Sequence, residues 1–122
     1  MSSLSPKATQ TAKAVPVRRF VFLLLDRFTL LSFAGAVEPL RIANRVSGKP
    51  LYTWVLAGEP GAGGFMSCSN GAAFRLDIGL DEIERDDTVL VCGGIDVQRA
   101  TTRGVLNWLR REARRGVTMG GL

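Results

Sequence analysis

Nucleophilic and metal chemistry draw first on cysteine and histidine, and this chain has two cysteines, Cys68 and Cys92, and no histidine. The cysteines lack CxxC spacing, so a zinc site built on Cys and His is nearly excluded. The missing imidazole also removes the commonest general base and the usual partner of a serine nucleophile. These residues cannot perform Ser-His-Asp chemistry. Cys92 closes the apolar run TVLVC and reads as a buried strand residue, reactive only where a positive field lowers its pKa. Cys68, inside the polar stretch SCSNG, reads as a free surface thiol.

Glycines punctuate the chain at three informative places. GEPGAGG, residues 58 to 64, has the look of a phosphate loop, but neither Lys-Ser/Thr nor a helix start follows it, so it reads as a flexible loop. Gly93-Gly94 follow TVLVC, and Gly120-Gly121 follow VTM near the final residue, Leu122. A glycine pair after a buried strand commonly opens a tight turn, a phosphate loop or a nucleophile elbow. Glu38 and Arg41, three residues apart, most simply form an ion pair on one helix face. The functional alternative is that one of them reaches a ligand or a dimer partner.

The elements that must position these residues alternate. Residues 1 to 16 are Ser, Thr, Ala and Lys with no acid, which predicts a disordered tail. Val17 to Leu25 predicts a strand buried on both faces. After the turn Asp26-Arg27-Phe28, Thr29 is placed to cap a helix whose stripe is Leu30, Phe33, Ala34, Val37, Leu40 and Ala43. Pro39 predicts a kink or restart within it, with helix to Val46 and a stop at SGKP. Asn44 is placed to cap backbone groups near the helix end.

Leu51 to Ala57 predicts a second strand, and residues 65 to 78 a hairpin around Asn70-Gly71. Residues 77 to 87 form an acidic connector with a helical turn, and Thr88 to Cys92 a further buried strand. Thr101 or Thr102 caps a helix through Arg115, with Val105, Leu106, Leu109 and Ala113 inside, and Val117 to Met119 closes as a strand. Trp54 and Trp108 read as packing residues rather than ligand cages. Strands alternating with helices, with glycines at strand ends, predict an α/β fold with a parallel doubly wound sheet. Ligands in such sheets sit beyond the carboxyl ends of the strands, where Asp26 to Ser32, Gly93-Gly94 and Gly120-Gly121 all fall.

Composition sets the outer limits. With 122 residues, 46% hydrophobic and 22% charged, the chain suits one modest globular domain. The longest apolar run, FVFLLL, is too short for a membrane span of about 18 residues or for a secretory h-region of about 7–15 residues, and Asp26-Arg27 close it. A cytoplasmic protein is expected. The net charge of +5 is concentrated at Arg99, Arg103, Arg110, Arg111, Arg114 and Arg115. No aromatic residues interleave with them as single-strand stacking would require, so they read as a solvated helix face.

FLLLDRFTLLSFAGAVEPLRIANRVSGKPLYTW, TVLVCGG and LNWLRREARRGVTMGGL together resemble the N-terminal domain of AraC-type transcriptional regulators of the GlxA kind, EPLRIAN being the most specific piece. That domain is similar to the DJ-1/PfpI branch of the class I glutamine amidotransferase-like fold. The resemblance implies an incomplete flavodoxin-like, DJ-1/PfpI-type sheet over residues 17 to 122, truncated before the nucleophile elbow. The elbow residue, the rest of the domain and a helix-turn-helix domain would follow Leu122. It also implies that Gly93-Gly94 form the turn whose N–H groups cradle an oxyanion, the alternative being a tight turn needing permissive φ. The acid that faces the elbow cysteine in enzymatic relatives falls at Ser32, which supplies no carboxylate.

The expected function is effector sensing by a regulator of catabolic genes, with an amine or amino-acid effector bound at Ser32, Gly93, Gly94, Ile95, Glu38 and Arg41. No catalytic residue, metal or cofactor is assigned. DNA would be contacted only through the missing domain, and the complete protein would be a homodimer without membrane contact. The rival readings are a DJ-1/PfpI-class cysteine enzyme (a hydratase, deglycase or amidase) and a non-functional remnant or artificial fragment.

Overall fold

A computed structural model describes residues 16 to 122, so the tail expected over residues 1 to 16 lies outside the described residues except for Pro16. Strand β1 is Arg18–Leu24, helix α1 Leu30–Ser47 and strand β2 Tyr52–Ala57. A hairpin of β3, Phe65–Ser67, and β4, Ala73–Arg75, turns at Asn70-Gly71, with Gly71 at φ +91°. A 3-10 turn, Leu80–Glu82, lies in the acidic connector. Then come β5 (Thr88–Cys92), α2 (Val97–Ala100), α3 (Arg103–Arg114) and β6 (Thr118–Gly121).

Four strands form one sheet in the order β2-β1-β5-β6, every pair parallel. From β1 the chain crosses through α1 to β2 on one side. From β5 it crosses through α3 to β6 on the other. The order therefore reverses between β1 and β5, and the carboxyl ends of those two strands form a topological switch point.

β1 occupies the centre because both its faces are apolar. Val21, Leu23 and Leu25 pack with Val89, Val105, Trp108 and Val117 under α3. Phe22 and Leu24 pack with Phe28, Phe33, Leu76 and Cys92 beneath α1 and the hairpin. Phe22 is wholly buried and meets Phe33 edge-on, 5.3 Å between ring centroids. Burial of such a side chain is worth about 2–3 kcal/mol relative to exposure.

Three expectations need correction. α1 runs unbroken through Pro39. Gly35 and Pro39 both lie on its exposed side, so the carbonyl deprived of a partner faces solvent, and one lost bond does not end a helix anchored by its other face. In α3 the buried residues are Val105, Trp108 and Glu112, while Leu106 and Ala113 lie outside. Glu112 is buried because it brings partners with it: Arg115 Nε donates to Oε1 at 2.9 Å and Arg111 Nε to Oε2 at 3.4 Å. Finally, Gly120 and Gly121 belong to β6 rather than following it, in register with Leu90 and Val91.

Capping follows expectation at α3 and departs from it at α1. Thr102 caps α3 by accepting from Val105 N at 3.1 Å. Thr29 stands at the cap of α1 without a capping hydrogen bond, and Ser69 Oγ accepts from Leu30 N instead. Asn44 spans from α1 to β2, donating to Tyr52 O at 2.8 Å and accepting from Tyr52 N at 3.0 Å. Gly48 at φ +70° ends the helix in the left-handed conformation.

Candidate functional site

The switch point is built by two loops held together through their backbones. Leu25 N donates to Cys92 O at 3.1 Å, and Thr29 N donates to Gly93 O at 3.0 Å. Between them the chain reverses, with Phe28 N donating to Leu25 O and Arg27 N donating to Ser67 O at 2.8 Å. Arg27 adopts φ +61°, the left-handed region that only glycine enters without cost. Its carbonyl presses on Gly94 so closely that a Cβ there would lie 2.3 Å from the oxygen.

Neither Gly93 nor Gly94 has positive φ, so permissive φ is not what the turn requires. The requirement at Gly94 is close approach of two backbones. At Gly93 a Cβ would meet Val97 Cγ2 at 2.7 Å. Among the described residues the N–H groups of Gly93, Gly94 and Ile95 make no hydrogen bond. They are donors available to an anionic or carbonyl oxygen.

Ser32, on the first turn of α1, joins this turn in a concavity of about 240 Å³ lined also by Thr29, Val97 and Leu122. No side-chain carboxylate lines it. Ile95 is 91% exposed and faces a separate shallow surface beside α2. Glu38 and Arg41 line neither concavity. They form a two-bond ion pair on the exposed face of α1, with Arg41 Nη2 donating to Glu38 Oε1 at 2.6 Å and Nε donating to Oε2 at 2.9 Å. The Arg41 hydrogen bonds hold the Glu38 carboxyl below its ordinary range.

The two thiols are both buried. Cys92 is 1% exposed, and loss of solvent pushes its pKa up to about 12. The expectation for Cys68 is overturned: it is 2% exposed, and its Sγ donates to Asn70 Oδ1 at 3.0 Å. The hairpin folds back over β1, making a bridge between Phe28 and Cys68, and the strand alternation turns this side chain inward while its polar neighbours face solvent. Trp54 packs against the α1-side core and Trp108 is buried in the other. No cluster of three or more metal-ligating side chains occurs among the described residues. No described helix is long and apolar enough to cross a membrane.

A larger concavity, about 610 Å³, opens beside the first at the end of β1. Asp26, Arg27, Glu59, Asp96, Arg99 and Thr102 supply its polar lining, with Leu25 and Val105 at its floor. Sequence reading placed Asp26 and Arg27 at the strand ends but not Glu59, Asp96, Arg99 or Thr102. Glu59 and Arg99 are 40 residues apart in a loop and a four-residue helix, and no local pattern joins them.

Comparison with known proteins fits this architecture. No protein-family model matches the chain. It is 44% identical over 101 residues to the HTH-type transcriptional regulator GbdR of Pseudomonas aeruginosa, covering 83% of this chain and 27% of that protein. To the HTH-type transcriptional regulator GlxA of Rhizobium meliloti it is 40% identical over 111 residues, covering 87% of this chain and 32% of the relative. By sequence the chain belongs with the HTH-type regulators of the GlxA kind. It spans about a third or less of the length of these curated relatives.

Solved structures support the fold. An AraC family transcriptional regulator from Pseudomonas putida superposes with TM-score 0.71 at 23% identity, covering 85% of this chain and 55% of that one. A DJ-1 superfamily protein from Agrobacterium tumefaciens superposes with TM-score 0.61 at 18% identity, covering 86% of this chain and 53% of that one. This GlxA-type chain thus carries the parallel α/β sheet of that superfamily, with a serine and two glycines meeting at its switch point.

Proposed function

We propose that the chain is the effector-sensing part of a bacterial AraC-type transcription regulator, binding a small amine or amino-acid metabolite to control catabolic genes. The observation that carries this reading is the concavity in which Ser32 meets the unpaired N–H groups of Gly93 and Gly94 without an acidic side chain. Such a site offers donors to a ligand oxygen and a hydroxyl for orientation. None of these side chains is a ready proton acceptor, which supports binding rather than turnover as their role. Ile95 lies on the separate shallow surface beside α2, outside this concavity. Glu38 and Arg41 serve a ligand or a dimer partner only when their mutual pair opens.

The regulators GbdR and GlxA, with their HTH-type names, support a whole protein in which a helix-turn-helix domain contacts DNA and this domain biases it. That protein acts in the cytoplasm as a homodimer. The cysteine-enzyme alternative rests on the DJ-1 and ThiJ/PfpI fold neighbours, whose low identity bears on fold alone.

The test uses the complete regulator containing these residues. Calorimetric titration with candidate amines and amino acids should give saturable binding that alters operator affinity. Ser32→Asp should weaken the response by placing a charge at the concavity. Cysteine-dependent hydratase or deglycase turnover, with no effector-linked change in DNA binding, would favour the enzyme.

A further inference from the structure

The larger concavity shares no lining residue with the one around Ser32, and it has features of its own. Arg27 is the single non-glycine residue at positive φ among the described residues. A glycine would hold this turn without strain, so the backbone gives no reason for an arginine here. The reason lies in the side chain, which lines the concavity. There its Nε stands 3.7 Å from Asp96 Oδ2, both side chains being about half exposed.

That separation is well beyond the 2.7–2.9 Å of a tight charge-assisted bond. Asp96 stands at the cap of α2 but makes no capping hydrogen bond, so releasing it costs α2 nothing there. Arg99, one turn on, lines the same space and has neither an ion pair nor a side-chain hydrogen bond among the described residues. Of the remaining charges, Glu59 is held away from the arginines by its contact with α3, its Oε1 accepting from Thr102 Oγ1 at 2.8 Å, and it keeps its negative charge. Asp26, an exposed lining residue, also disfavours a second negative charge, which limits the site to a singly charged group.

We propose that this concavity is a second small-molecule site that takes a single carboxylate group between Arg27 and Arg99. Asp96 is the intramolecular occupant that the ligand displaces from Arg27. Two guanidinium groups supply paired N–H donors and positive charge for one carboxylate. Because the Arg27 carbonyl bears on Gly94, occupancy is felt at the turn that lines the Ser32 concavity. The site depends on none of the residues assigned to the effector, so either site can fail without the other.

The probe is sodium acetate, titrated into the nitrogen-15-labelled chain at constant ionic strength with chloride as the balancing anion. The Nε–H resonances of Arg27 and Arg99 and the Gly94 amide should shift together with one saturable midpoint. Arg27→Gly suits the left-handed backbone, so the melting temperature should not fall, while the midpoint rises at least about tenfold for loss of a charge-assisted contact. Arg99→Gln should weaken binding similarly and serves as the deciding variant should Arg27→Gly disturb the fold. Asp96→Asn removes the competitor and should tighten binding about threefold. Non-saturable shifts, an unchanged midpoint in Arg27→Gly or Arg99→Gln, or weaker binding in Asp96→Asn would overturn the proposal. Saturation by inorganic phosphate but not by acetate would overturn it too, because the geometry would then select a tetrahedral oxyanion.

Discussion

Gly94→Ala should be among the most damaging single-atom additions to this domain. A Cβ at this position lies 2.3 Å from the Arg27 carbonyl oxygen and 3.4 Å from Phe28 Cα. Ordinary contact begins near 3.4 Å, so the two loops must separate by about 1 Å. The obstacle is backbone, and it is pinned. Arg27 N is bonded to Ser67 O, Phe28 N to Leu25 O and Thr29 N to Gly93 O, all within 3.0 Å. Relief therefore breaks one of these bonds or distorts the turn, which places the cost near the top of the 1–3 kcal/mol overpacking range, about 3 kcal/mol. Gly93→Ala meets only the end of the Val97 side chain and should cost about 1 kcal/mol. Gly121→Ala has open space at ordinary φ and should stay within about 0.5 kcal/mol of the parent. Urea denaturation of the three variants, analysed with a common slope, measures the series. A Gly94→Ala variant as stable as Gly121→Ala would refute the claim that the two loops are locked by backbone contact.

Other measurements probe the same structure. Neither thiol should react with iodoacetamide in the folded chain at pH 8, because both are buried and Cys92 ionises only near pH 12; rapid labelling without denaturant would contradict this. An acid whose folded pKa is raised keeps its proton longer folded than unfolded. Stability should therefore be unaffected by Cys92 below about pH 9 and fall by up to ~1.4 kcal/mol per pH unit between there and about pH 12, a slope that Cys92→Ala should remove in alkaline denaturation curves. The 122-residue chain should melt below about 65 °C, since Leu31, Val46 and Ile95 are more than 80% exposed, and a cooperative transition above that temperature would count against it. This chain should show no operator-specific gel shift at physiological salt, because the inner stripe of α3 is committed to the core and α2 has only four residues; specific retention would overturn that.

The alternation of strands and helices was legible from residues 17 onward, because burial on both faces leaves an unmistakable apolar run, as in FVFLLL, and a one-sided helix leaves a 3.6-residue stripe. The Asn70-Gly71 turn, the stop at SGKP and the Glu38–Arg41 pair were equally local, each decided within a few residues. Where local rules failed, the deciding partner was distant. Pro39 failed to break α1 because the other face of the helix is held by the sheet-side core. Cys68 went inside because a hairpin closes over β1, and Trp108 displaced Leu106 because the core under α3 accepts a different stripe. The need for glycine at position 94 and the meeting of Arg27, Asp96 and Arg99 depended wholly on tertiary structure. They arise from the approach of two strand ends in a parallel sheet, and parallel neighbours are joined by long crossovers that leave no short-range trace in the sequence.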